Sequence, residues 1–311
     1  MISIVRYDAS WRARWDEFVL ASANATFLHR RSYMDYHADR FADCSLLAFD
    51  EKRRLVAVLP ANIDADGTLW SHRGLTYGGW LTSRRHCPTP VMLRVWDAAV
   101  EWMRANGIAK LVYKPVPRIY CRYPSDDDLY ALFRLGAVQS SCMVSSAIPV
   151  ARPWLANEGN RRTVRTCNLE VGRSDALDPF MLMLAGRLES RYGAAPVHTP
   201  GEMRMLMERF PRNIRLFTAC SGSEILAGTI VYFTDTVAHT QYIATTPQGR
   251  SLGAFPSLVG YLLEHECAGL DYLDFGTSCL DGGRTLNESL LLQKYNLGGR
   301  PVAYTAYTLT L

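Results

Sequence analysis

The sequence predicts an α+β fold in which one element order is used twice, giving two tandem domains, each a mixed, mainly antiparallel sheet flanked by helices. Three observations carry this expectation. The chain has 311 residues, 48% of them hydrophobic, which suffices for two ordinary cores at about 150 residues per domain. Apolar periodicity passes from helical to alternating and back in the same succession in each half. The punctuation repeats as well, Phe133-Arg134-Leu135-Gly136-Ala137 in one half and Tyr295-Asn296-Leu297-Gly298-Gly299 in the other, at an offset of roughly 165 residues. Such an order is not the βαβα alternation of a Rossmann sheet.

In the first copy, residues 10–22 form an amphipathic helix with Trp11, Trp15, Phe18 and Val19 on one face, and 31–41 form a second. Strands are expected at 46–49 and 55–63 around a turn at 50–53, and at 69–75 after the Gly67 turn. Gly78 and Gly79 close this meander. A helix over 90–106 stops at Gly107, a strand follows at 110–114, a helix over 126–135 is capped by Ser125, and 137–150 returns as strand. The second copy places helices at 179–192 and 201–210, then strands at 215–219, 225–233 and 237–244, with a loop at 245–250. A helix over 255–267 stops near Gly269, and a strand at 272–275, a helix at 286–295 and a last strand at 302–311 complete it. The boundary is expected near 149–160, dividing the chain into 1–152 and 153–311.

Bulk properties exclude several classes. No apolar run approaches the ~18 residues that span a bilayer, and the start MISIVRYD runs straight into polar sequence, so a cytoplasmic protein without a leader is expected. The eight cysteines are widely scattered, with no C-x-x-C pair and no local His/Cys cluster, which points to reduced thiols and no metal. A net charge of +4 makes no case for nucleic acid. Walker loops, Gly-x-Ser-x-Gly elbows and H-E-x-x-H are absent, and Arg161, Arg162 and Arg165 read as a solvated linker.

Particular motifs narrow the reading. The stretches 27–41 (FLHRRSYMDYHADRF), 72–79 (HRGLTYGG), 113–120 (YKPVPRIY) with Arg122, Tyr123 and Pro124, and 274–278 (DFGTS) with 286–290 (LNESL), Gln293, Lys294 and Gly298-Gly299-Arg300 resemble the two-domain GNAT N-acyltransferases that modify nucleotide-linked amino-deoxy sugars. More distantly they resemble the Fem-type transferases. The resemblance implies acyl transfer from acyl-CoA to a sugar amine in a cleft between the halves, as in lipopolysaccharide O-antigen assembly. Residues 1–152 would form the acceptor side and 153–311 the acyl-thioester side, with both substrates small molecules, no nucleic acid partner and no metal.

In a GNAT fold the thioester lies where two central strands part, and its pyrophosphate meets N–H groups at the start of the next helix. Helix N-termini suit anions because their first N–H groups lack internal partners. The stretch 248–254 (QGRSLGA) sits between a strand and a helix, with Arg250, Gly253 and Ala254 as candidate cofactor-binding residues; an ordinary strand-to-helix turn is the alternative. Acyl transfer needs a neutral amine and a stabilised oxyanion. His239 and Tyr242 precede that loop, at a spacing that puts them on opposite faces of a regular strand. His72, before Tyr77, holds a comparable place in the first half, and Glu288 could accept a proton or hold the amine. His72, His239 and Glu288 are thus the candidate catalytic residues, each with a structural role as its alternative. Tyr77, Lys114, Arg122, Tyr123, Tyr242, Ser278, Asn287 and Lys294 are the candidate substrate-binding residues; Asn287 equally suits a helix cap and Lys294 a solvated charge.

Two other functions fit the same residues. One is a Fem-type transfer from aminoacyl-tRNA to a peptidoglycan precursor, which calls for a larger basic surface. The other is a degenerate GNAT pair that binds without catalysis.

Overall fold

The computed structural model describes residues 1–311, the side chain of Tyr192 excepted. Two compact units make up the chain, and neither is one continuous segment. Unit 1 comprises Met1–Met143, Cys279–Thr285 and Ala303–Leu311; unit 2 comprises Val144–Ser278 and Leu286–Val302. No helix among the described residues is long and apolar enough to cross a membrane.

Unit 1 opens with β1 (Ser3–Arg6), α1 (Arg12–Ala21) and the single-turn α2 (Arg31–Met34). The helix expected over 31–41 stops after one turn and a 3-10 turn at Asp35–His37. Arg31, at the start of this helix, is buried with its guanidinium over the rings of Tyr7 and Trp15 and bonded to Asp43. Next come β2 (Ala42–Asp43), β3 (Leu46–Phe49), β4 (Leu55–Leu59), β5 (Asn62–Ile63), β6 (Thr68–Trp70) and β7 (Leu81–Thr82). The strand expected over 55–63 is cut at Pro60, which has no N–H to give a ladder. The strand expected over 69–75 ends at Trp70, because His72 takes a left-handed conformation with φ 61°. In α3 (Thr89–Ala105), Met92, Val95, Trp96, Ala99, Val100 and Met103 form a buried stripe at helical spacing. β8 (Lys110–Tyr113), α4 (Asp127–Arg134) and β9 (Val138–Pro149) follow. The N-cap of α4 is Asp126 and not Ser125, whose hydroxyl donates to the Tyr123 carbonyl at 3.0 Å.

Unit 2 holds α5 (Glu158–Thr166), β10 (Glu170–Ser174), α6 (Leu177–Tyr192), α7 (Pro200–Arg209), β11 (Ile214–Ser221), β12 (Glu224–Phe233) and β13 (Val237–Thr245). The expected loop at 245–250 contains a short helix, α8 (Pro247–Ser251), and leads to α9 (Ala254–Tyr261) with a π-helical turn after it. β14 (Tyr272–Thr277), the small pair β15 (Cys279–Leu280) and β16 (Thr285–Leu286), α10 (Glu288–Asn296) and β17 (Arg300–Thr310) end the chain. The arginines read as a linker lie on α5, which Asn157 caps; no α5 residue is buried, so apolar periodicity gave no sign of it.

In unit 1, β1, β3, β4 and β7 form an antiparallel sheet, and β8 pairs parallel with β6. In unit 2, β10 to β13 form an antiparallel meander, and β14 pairs parallel with β13. Each parallel pair is joined through a helix, as such a crossover requires. The strand on the other side of each late strand comes from the opposite copy of the sequence. β8 pairs with Tyr307–Thr310 of β17, while β14 pairs with Ser145–Pro149 of β9. The last strand, expected to close the second copy, therefore completes unit 1, where Leu309 is buried with Trp80, Trp96, Leu111 and Tyr113. The unit 2 core packs Phe217, Leu226 and Val231 of the meander against Leu258 and Val259 of α9 and Leu273 and Phe275 of β14.

Two expectations follow. Leu309→Ala should cost about 2–5 kcal/mol and lower hydrogen-exchange protection first at the β8 amides of unit 1; loss confined to β11–β14 would contradict the strand assignment. The second concerns Asp128, buried where Tyr113 donates its hydroxyl to Oδ2 at 2.7 Å. Burial raises its carboxyl from 3.8 to about 7. Between those values the folded protein holds a proton that the unfolded chain has released, so this stabilising contribution is lost as pH rises through 7. Asp128→Asn should accordingly flatten the pH dependence of urea unfolding between about pH 4 and pH 7, by up to about 4 kcal/mol.

Candidate active site

β13 and β14 run side by side only where Val237–His239 face Tyr272–Asp274. Beyond that point each strand keeps its outer neighbour and leaves the other: β13 stays paired with β12 as far as Thr245, and β14 with β9 as far as Thr277. Irregularities in both strands produce the divergence. Tyr242 faces Ile230 and Thr240 faces Val231, so Gln241 is an extra residue that bulges β13. In β14 the register against β9 shifts between Asp274 and Thr277, and Gly276 there has φ 72°. Bulges bend a strand and increase its twist, which opens a wedge between the two.

At the apex of the wedge, His239 Nδ1 and Asp274 Oδ2 are 2.7 Å apart. The second carboxylate oxygen accepts the Ser145 hydroxyl at 2.6 Å, and the Thr240 hydroxyl donates to the Asp274 carbonyl at 3.3 Å. Asp274 is 0% exposed and the His239 side chain 15%, so the carboxylate is sealed in while the ring reaches a surface. A carboxylate only accepts, so this pairing fixes the tautomer with hydrogen on Nδ1 and turns Nε2 away as the basic nitrogen. A Cβ on Gly276 would lie 3.2 Å from His239 Cε1, so glycine lets the β14 backbone pass close to the ring.

The bulge corrects the expectation that His239 and Tyr242 face opposite ways. One extra residue between them shifts the alternation by one, and both point to the same side of β13. Tyr242 has a structural partner there: its hydroxyl lies 2.6 Å from His198 Nδ1 and accepts the His198 amide at 3.2 Å, holding the segment before α7. Burial raises its phenol above the usual value.

A cavity of about 660 Å³ occupies the open part of the wedge. Its lining includes Ile243 and Thr245 of β13, Phe255 of α9, Phe275 of β14 and Leu290, Gln293 and Lys294 of α10, with Arg187 and Arg191 of α6 and Arg250 of α8 adding positive charge. Lys294 is not a solvated charge. It is 5% exposed, and its ammonium donates to the carbonyls of Gly276 and Thr277 at 2.8 and 2.9 Å, which places a buried cation against the kinked part of β14. Arg250 is exposed, with Nη1 donating to the Thr245 carbonyl at 3.2 Å. Gly253 is the N-cap of α9 in a left-handed conformation, and Ala254 begins that helix. A Cβ on Gly253 would meet Thr163 Cγ2 of α5 at 2.0 Å, so packing alone requires glycine there. Asn287 caps α10, accepting from Leu290 N at 3.1 Å, and Glu288 is exposed in its first turn. Ser278 is buried, and its amide donates to the Val144 carbonyl at 2.8 Å.

The remaining candidates lie in unit 1 and do not form one cluster. His72 is buried, stacked on His37 with ring centroids 5.3 Å apart, and its basicity falls well below the usual range through burial and the nearby His37 and Lys114. Tyr77 is buried with its ring 4.7 Å from that of Tyr120. Lys114 donates to the carbonyls of Leu75 and Arg73. Arg122 is occupied as a tie, with Nη1 donating to the Ser22 carbonyl at 2.8 Å and its amide to that of Ala23 at 2.9 Å. Tyr123 is 54% exposed and lines a different groove, with the Arg84 guanidinium 5.4 Å from its ring centroid.

Sequence reasoning singled out the DFGTS motif but gave Asp274 no role, and it passed over Ser145. The available signal was an acidic residue inside an apolar strand, since a buried carboxylate needs partners. Asp274→Asn should switch His239 to the Nε2–H tautomer, visible in long-range ¹H–¹⁵N spectra of the imidazole, and lower stability by about 1–3 kcal/mol; an unchanged tautomer would mean that the carboxylate does not orient the ring.

Residues 156–283 match the family model for an acetyltransferase (GNAT) domain. No curated protein matches the chain. Among solved structures, FemX resembles it with a TM-score of 0.70 at 12% identity, over 99% of this chain and 97% of that one. L-PGS from Bacillus licheniformis gives 0.56 at 9% identity, over 96% and 91%. A tandem GNAT protein from the clavulanic acid biosynthesis pathway gives 0.52 at 14%, over 100% and 98%. At such identities the likeness is one of fold. The chain therefore carries a GNAT-type acetyltransferase domain over residues 156–283, within a two-unit fold that it shares with FemX and a tandem GNAT protein.

Proposed function

We propose that this protein is an N-acyltransferase that moves an acyl group from acyl-CoA to the amine of a nucleotide-linked amino-deoxy sugar. The observation that carries the reading is the wedge between β13 and β14, with the His239–Asp274 pair at its apex and a cation-lined cavity beyond it. The open edge of β13 offers backbone N–H groups to a thioester carbonyl as it becomes an oxyanion. His239 Nε2 takes one proton from the substrate ammonium, Asp274 stabilises the imidazolium that forms, the neutral amine attacks the thioester carbonyl, the new C–N bond replaces the C–S bond, and the leaving thiolate is protonated by the second proton that the amine nitrogen gives up. Arg187, Arg191 and Arg250 suit the phosphates of a CoA thioester by charge and by fork geometry. The DFGTS, LNESL and YKPVPRIY motifs support the sugar-nucleotide acceptor.

The fold likeness to FemX favours one other reading, transfer of an aminoacyl group in the Fem manner. A thiol-release assay with short acyl-CoAs and dTDP- or UDP-linked amino sugars, run beside a charged-tRNA transfer assay, separates the two. In the first, His239→Asn should lower kcat by about 100-fold or more, while Glu288→Gln and His72→Asn stay within about tenfold. Equal, small effects of all three would mean that positioning and not a protein base carries the reaction. Activity only with charged tRNA would replace the donor.

A further inference from the structure

In unit 1, β6 and β8 run parallel as far as Trp70 and Val112, and the loop after β6 stays tied to β8, with Gly78 N donating to the Lys114 carbonyl at 2.9 Å and Lys114 N to the Ser71 hydroxyl at 2.7 Å. Trp70 and Val112 thus stand where unit 2 has His239 and Asp274, so this place carries no proton acceptor. A cavity of about 240 Å³ lies beside it, lined by Trp70, Tyr77 and Tyr304, by Pro117, by Ser140 and by Lys114. None of its lining residues is acidic, and Lys114 is the sole charged one.

We propose that this cavity is a second small-molecule pocket, one that takes a small planar ring carrying a single carboxylate. Its size fits: an apolar cavity of about 150 Å³ already holds benzene, and the extra space here accommodates one substituent. Aromatic walls bind a flat ring well, since ring pairs add favourable quadrupole contacts to area burial. The cation sets the charge of the guest. An ammonium has three N–H donors, and Lys114 directs two of them at the carbonyls of Leu75 and Arg73, which leaves one for an anion. One donor from one cation matches a monoanion, whereas a phosphate dianion calls for several donors or a guanidinium fork. The nearest guanidinium, Arg73, is paired with Asp64 at 2.7 Å. The proposal rests on unit 1 alone and does not depend on the acyl-transfer reading.

Proton linkage gives a second signature. Burial and the charge of Arg73 lower the Lys114 ammonium to about 8. The other titratable groups around it are His72 and Tyr77 on the same loop, His37 after α2 and Tyr304 on β17; burial disfavours the charged form of both histidines. A bound carboxylate favours the ammonium, so binding near pH 8 should take up protons, and affinity should fall as pH rises further.

The test is calorimetric titration of the full-length protein with benzoate, benzamide and phenyl phosphate in buffers of different ionisation enthalpy. Expected are one-to-one binding of benzoate, at least about tenfold weaker binding of the two others, proton uptake at pH 8, loss of benzoate binding in Lys114→Met and no change in Lys294→Met. The benzoate–benzamide comparison on the unaltered protein stands even if Lys114→Met does not fold. Equal binding of acid and amide, preference for phenyl phosphate, no binding at about 10 mM, or loss in Lys294→Met in place of Lys114→Met would each overturn the proposal.

Discussion

The parting of β13 and β14 after His239 and Asp274 is the constraint on which unit 2 depends. Two parallel strands in register satisfy each other's backbone groups, so separating them inside a sheet costs hydrogen bonds that must be recovered elsewhere. Part of that recovery is visible. The Thr240 hydroxyl serves the Asp274 carbonyl, and the Lys294 ammonium serves those of Gly276 and Thr277, while β12 and β9 hold the outer sides. Gly276 supplies a backbone conformation that other residues adopt only under strain. Opening the wedge and placing a buried lysine are thus one arrangement, and the cavity follows from it.

The apex residues gain their character from the same geometry. Asp274 is the last residue of β14 still facing β13, where the sheet excludes water, and the Ser145 hydroxyl and the His239 ring satisfy its carboxylate. The corresponding place in unit 1 holds Trp70 and Val112, neither of which accepts a proton, and the chain beyond them turns through the left-handed His72 instead of continuing as strand. One element order therefore yields two cavities of different chemistry, one beside a positioned imidazole and one with aromatic walls and a lysine.

Much of the frame was legible in residue order. The buried stripe of α3, the strands β11 to β13 and the loop-to-helix position of 248–254 follow from periodicity and turn residues, because those signals are local. What escaped was set by partners distant in sequence. Arg31 is buried because Tyr7, Trp15 and Asp43 surround it; Arg122 and Tyr242 are engaged by Ser22 and His198; Gly253 is required by Thr163. α5 was hidden because a helix with no buried residue has no apolar face to read.

The sequence by itself determined the element order, its repetition and the α+β class, since propensity, capping and hydrophobic period act within a few residues. Only the tertiary structure decided that the last strand of each copy completes the sheet of the other unit, that a bulge turns His239 and Tyr242 to one face, and that Asp274 rather than Glu288 accompanies the imidazole. The physical reason is that strand pairing is made by backbone groups common to all residues. A strand's neighbour, and the phase in which its side chains meet that neighbour, are therefore fixed by packing over the whole fold and not by local sequence.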